Sequence, residues 1–249
     1  YYSNYSSLIV IISGFIYTFI SNITASFGNL IVKEKPDKRL KVFEEMNFIY
    51  YIMYGISTVC FINLFNPFIG FVYGNKFVLS ISCVYLITIN YYLMGMTNII
   101  EIVKSAAGLY DNDKFVPLIQ ALVNLVISIV LGIKIGLVGV FIGTLISTLV
   151  ALSIKPMIVY KHVFDTSAKK YLYDSMKQIS VLVLSIIVSV LITKCLIINN
   201  IILKLAINLL ISLLVPGLFM FFAYYRSEVF KSTLARAKFM INKKMKKVS

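Results

Sequence analysis

Seven stretches of this sequence are apolar for about 20 residues or more, the length that crosses the hydrocarbon core of a bilayer. They fall at about 6 to 31, 47 to 73, 78 to 103, 115 to 133, 135 to 154, 179 to 198 and 201 to 223. A backbone in hydrocarbon has no water to bond, so each run must close its hydrogen bonds within itself as a helix. Composition agrees, with 59% hydrophobic and 14% charged residues, against the roughly quarter charged share of soluble domains. The expectation is an all-α, polytopic integral membrane bundle of about seven transmembrane helices.

The net charge of +14 is a matter of placement. Counting Lys and Arg by connection gives 5, 1, 2, 1, 5, 2 and then 8 in the C-terminal tail. By the positive-inside rule, the first, third and fifth connections and the C-terminus are cytoplasmic, holding 20 basic residues against 4. The N-terminus is then outside. All ten acids lie on or beside the cytoplasmic segments. A surplus sorted this way serves membrane orientation, and no nucleic-acid partner is expected.

Residues 1–160 read as the core helices, 161–178 as a basic cytoplasmic connection, 179–223 as two peripheral spans and 224–249 as a basic tail. Within the connection, DTSAKKYLYDSMKQI at 165 to 179 reads either as a surface helix with Tyr171, Leu172 and Met176 toward lipid or as a plain loop. His162 reads as a surface residue. Cys60, Cys83 and Cys195 show neither CxxC pairing nor metal-ligand spacing and read as small packing residues. No cleavable signal peptide is visible, and the start at Tyr1 without Met suggests a fragment or a processed chain.

Polar residues inside the spans are the informative minority. At 100° per residue, Asn4, Ser7, Thr18, Asn22, Ser26 and Asn29 fall within about 60° of one direction. The third span carries Asn90, Thr97, Asn98 and Glu101, and the fourth has Gln120, Asn124 and Ser128 at i, i+4 and i+8. Each stripe alone is explained by interhelical hydrogen bonding, but three amide-rich faces together suggest a polar cavity. Amides both donate and accept hydrogen bonds, so Asn22, Ser26, Asn29, Asn98, Gln120 and Asn124 are candidate substrate contacts in that cavity, with Tyr91 or Tyr92 as an aromatic face. Glu101, three residues before Lys104, reads either as half of a solvated ion pair or as an ion-coupling group. In the fifth span, Gly136, Gly139, Gly143 and Ser147 read as a close-packing face.

Catalytic signals are missing from this sequence: it has no GxxxxGK[ST], HExxH or GxSxG and a single histidine. Neither an enzyme nor a cofactor is expected. A seven-helix receptor shares the outside N-terminus, but the last span has no central Lys for a retinal Schiff base.

YYSNYS at the start, ITASFGNLIVKE at 23 to 34 and AAGLYDNDKFVPLIQALVNLVISIVLGIKIGLVGVFIGTLIS at 106 to 147 resemble the Wzx-type polysaccharide or O-antigen flippases. Their superfamily also holds multidrug extruders and lipid II flippases. The resemblance covers about residues 1 to 160. It implies flipping of an undecaprenyl-diphosphate-linked oligosaccharide across the cell inner (cytoplasmic) membrane by alternating access, with that lipid-linked oligosaccharide and membrane lipid as partners. Family members have twelve to fourteen spans in two lobes, so seven spans starting outside imply the C-terminal half and a missing N-terminal lobe. Every Lys and Arg of this chain reads as lying at a membrane edge or in a connection, so the partner of the diphosphate is expected in that missing lobe.

Overall fold

A computed structural model describes residues 1–236, the side chains of 19–29, 31 and 32 excepted. The described residues are helical throughout, without strands. Helix α1 runs over Tyr2–Lys33, α2 over Pro36–Val72 and α3 over Ile81–Ala106. A four-residue helix, α4 (Tyr110–Asp113), leads into α5 (Val116–Ile135), followed by α6 (Leu137–Val163), α7 (Lys169–Cys195) and α8 (Ile201–Tyr224). Six of these segments are long and apolar enough to cross a membrane: Pro36–Val72, Ile81–Ala106, Tyr110–Ile135, Leu137–Val163, Lys169–Cys195 and Ile201–Tyr224.

The breaks follow backbone chemistry. Pro36 opens α2, where its missing N–H costs nothing. Ser80 caps α3 by accepting from the Cys83 amide, and the Asn200 side chain caps α8 through the amides of Ile202 and Leu203. Gly136 alone separates α5 from α6. Its φ of +65° lies in the left-handed region that favours glycine, and the chain reverses there.

α2 is the centre of the bundle, packing against α1, α3, α7 and α8, while α6 packs on both α3 and α5. At 37 residues it is about 55 Å long, well beyond a hydrocarbon core of about 30 Å. The sequence reading starts this span near 47. The helix begins eleven residues earlier because Val42, Phe43 and Met46 are buried against neighbours, including Tyr160, Phe164 and Tyr171 around the Phe43 ring. Likewise residues 169–178 are the first turns of α7 rather than a separate surface helix, and Tyr171 is buried in protein. Met176 stays exposed.

Close approach is concentrated where α5 meets α6. A Cβ on Gly139 would run into the Leu131 backbone, and one on Gly143 into Ser128. Of the four small residues read as a packing face, Gly139, Gly143 and Ser147 are buried, and Gly136 serves the turn instead. Gly143→Val is expected to lower stability by about 1–3 kcal/mol, measured as the thermal unfolding midpoint of the purified protein in detergent. An unchanged midpoint would show that α5 can move aside.

Candidate functional site

Charged side chains from three segments meet between α3 and α6. Glu101 and Lys104 stand three residues apart on the last turns of α3, so they share a face. Lys104 Nζ lies 2.6 Å from Glu101 Oε2 and 2.6 Å from Asp113 Oδ2 at the end of α4. Lys155, on α6, ion-pairs with the other Glu101 oxygen, Oε1. The result is a chain Asp113, Lys104, Glu101, Lys155 with two charges of each sign. Lys104 and Lys155 are 7% exposed and Asp113 4%. Only Glu101 has substantial access to the surroundings.

This corrects two expectations. Glu101 and Lys104 do not form a solvated pair, and Lys155 does not sit in a connection: it lies eight residues before the end of α6, about 12 Å along the helix axis. The sequence reading ends the fifth span at 154, just before Lys155 and Pro156. Proline usually marks a helix boundary, yet α6 continues through it. The carboxylates that hold Lys155 and Lys104 come from 54 and 9 residues away, separations that no local pattern announces. Asp113 in particular carries no signal beyond sitting in YDND.

The arrangement is neutral only while all four charges persist. Protonating Glu101, or drawing an ammonium toward an anion, breaks the sole ion-pair link between α3 and α6 among the described residues. His162 stays on the surface as expected, its Nε2 3.3 Å from Asn112 Nδ2.

The amide stripes are distributed differently. Asn22, Ser26 and Asn29 lie on α1 outside the described side chains. Tyr91 is buried within an aromatic cluster, its ring 5.1 Å from Tyr54 and 5.0 Å from Phe61, and Tyr92 is buried too. Neither ring offers an open stacking face. Asn98 is exposed beside the Tyr54 hydroxyl. Gln120 and Asn124 are half-buried on α5, and Asn124 Oδ1 accepts from Ser128 Oγ at 2.7 Å. Asn90 donates from Nδ2 to the Phe141 carbonyl at 3.1 Å, which ties α3 to α6. Thus Asn90 and Ser128 serve packing, while Asn98 and Gln120 keep an accessible side.

A second polar cluster joins α2 to the last two helices. Asn63 Nδ2 donates to Ser189 Oγ at 3.1 Å and to Ser212 Oγ at 2.9 Å. Asn208 Nδ2 donates to the Asn63 carbonyl at 3.4 Å, and Thr193 Oγ1 to Asn63 Oδ1 at 3.4 Å. Ser189 and Thr193 of α7 and Asn208 and Ser212 of α8 therefore all turn onto Asn63. Asn63 lies three residues before Asn66 in the second span, and its partners on α7 and α8 are distant in sequence. Asn63→Leu is expected to cost about 1–2 kcal/mol and to loosen α7 and α8 first, seen as faster amide exchange in those helices than in α3. Uniform exchange would deny the cluster that role.

Comparison with protein-family models, with curated proteins and with solved structures gives no match to the chain.

Proposed function

We propose that this chain is one lobe of a membrane exporter that flips an undecaprenyl-diphosphate-linked oligosaccharide repeat unit across the cytoplasmic membrane by alternating access. In this reading all seven long helices span the bilayer, with the N-terminus outside and the C-terminus cytoplasmic. The observation that carries it is the buried ionic chain of Asp113, Lys104, Glu101 and Lys155. Ionisable groups inside a membrane bundle are costly to keep and mark substrate or ion pathways.

Two ammonium groups held by two carboxylates suit a diphosphate that must be gripped and released. The anion competes with Glu101 and Asp113 for the same lysines, so binding loosens the α3–α6 link. This moves the diphosphate partner, expected in a missing lobe, into the present chain as part of the proposal. Asn98, Gln120 and Asn124 supply amides for sugar hydroxyls. The second lobe covers the exposed apolar side of α5, where Leu118, Leu122, Leu125 and Ile129 have no neighbour packed over them. Support also comes from the family resemblance of residues 1 to 160.

The test is polysaccharide export in cells carrying the complete transporter. Lys155→Gln is expected to lower export at least tenfold while protein abundance stays near normal, and Asn98→Ala and Gln120→Ala several-fold. Full export by Lys155→Gln at normal abundance would remove the ionic chain from the substrate path. Abundance falling in step with export for the two amide variants would assign those amides to packing.

A further inference from the structure

The first turns of α2 and α7, the end of α8 and residues 227–232 beyond it border a partly open cavity of about 490 Å³. It is separate from the ionic chain of α3 and α6, none of whose members line it. Its walls include the rings of Phe43, Tyr160, Tyr171 and Tyr224.

Charge is unusual here. The chain has 24 basic and only 10 acidic residues, yet four of those acids, Asp37, Glu44, Asp174 and Glu228, line this one cavity. Glu44 holds Lys170 at 2.7 Å. Asp37, Asp174 and Glu228 make no ion pair among the described residues, and Lys41, Lys170 and Lys177 also line the cavity, so its carboxylates outnumber its lysines four to three.

A second observation is independent of the carboxylates. Three lining side chains more than nine-tenths buried carry an oxygen with no hydrogen-bond partner: Asn47 Oδ1, Gln178 Oε1 and the Tyr224 hydroxyl. Their exposures are 6%, 5% and 8%. Buried polar atoms are almost always paired, so three on one cavity mark a place built for a donor-rich guest.

Unpartnered acceptors, a surplus of carboxylates over lysines and aromatic faces together suit an ammonium group. The cavity already takes one such group from its own wall, with Lys177 Nζ 4.9 Å from the Tyr224 ring centroid. A neutral sugar would leave the surplus negative charge uncompensated, and no cluster of three metal-ligating residues occurs among the described residues.

We propose that this cavity binds a primary ammonium group, carried by a small soluble amine or by an amine lipid headgroup. The ammonium displaces Lys177 from the Tyr224 face and is held by Asp174 and Glu228, with Asn47 and Gln178 accepting its N–H bonds.

The test uses the full chain in phosphatidylglycerol nanodiscs, titrated with radiolabelled ethanolamine. Native mass spectrometry of protein purified from phosphatidylethanolamine-containing membranes forms the second arm. A soluble source predicts saturable ethanolamine binding near one equivalent. A lipid source predicts one retained phosphatidylethanolamine and weak ethanolamine binding. Either signal is expected to weaken at least tenfold in the Asp174→Asn, Glu228→Gln double variant and to persist in Asp111→Asn. Circular dichroism confirms that each variant is folded, and Gln178→Leu, which leaves both carboxylates in place, is expected to weaken the same signal several-fold. Absence of both signals in the unmodified chain, or equal signals in the double variant, would overturn the site.

Discussion

Glu101→Ala is expected to destabilise the protein by about 3–5 kcal/mol, the cost of removing one member of a buried ionic set. The reason is asymmetric. Lys104 keeps Asp113 at 2.6 Å, but Lys155 loses its only ion-pair partner among the described residues and remains inside the bundle with a charge. Against a total stability of about 5–15 kcal/mol, that loss is large. It is read as a lower thermal unfolding midpoint in detergent and as reduced abundance in membranes.

The companion double variant, Glu101→Leu with Lys155→Met, replaces both charges with apolar groups of similar size. Buried ion pairs exchanged for packed hydrophobes are often neutral or better in stability, so the double variant is expected to recover most of the lost midpoint. Export is expected to stay low, since the anion-gripping ammonium has gone. Recovery of both would make the pair a structural element only. A Glu101→Ala midpoint equal to the unmodified chain would show that the four charges are hydrated and carry no coupling.

The helices themselves were open to reading because run length alone demands them: an apolar stretch of 20 residues in lipid has no other way to satisfy its backbone. Their ends were not, since α2 and α7 extend through charged residues whose apolar neighbours, Phe43 and Tyr171, find protein to pack against. Burial of polar groups was hardest to anticipate. Asn90 and Asn98 lie on one helix two turns apart, yet the first is buried against α6 and the second is exposed, because helix crossing covers only part of a face. Asn63 and Lys155 acquire their roles only from partners more than 50 residues away.

Cysteine probes at positions 76 and 134 are expected to react with an impermeant thiol reagent in intact cells, and probes at 39 and 169 only after permeabilisation. The structure sorts these positions into two groups without reference to charge. Tyr1 stacks near Phe77 at 5.5 Å, the Tyr5 hydroxyl accepts from the Leu79 amide at 3.0 Å, and Tyr2 meets Phe141 at the start of α6, which gathers Lys76 and Lys134 at one end. Arg39 donates to the Val163 carbonyl at 3.4 Å, and Glu44 pairs with Lys170, which gathers the other two at the opposite end. In the proposed orientation the second end, which carries the connections richer in Lys and Arg, faces the cytoplasm. Cys195 is exposed at the end of α7, next to Thr193, which bonds Asn63 in the later half of α2. It is therefore expected to label from outside in the unmodified chain, and must be replaced before the four probes are compared. Labelling at 39 and 169 in intact cells, with 76 and 134 protected, would invert the chain and place the ammonium cavity outside.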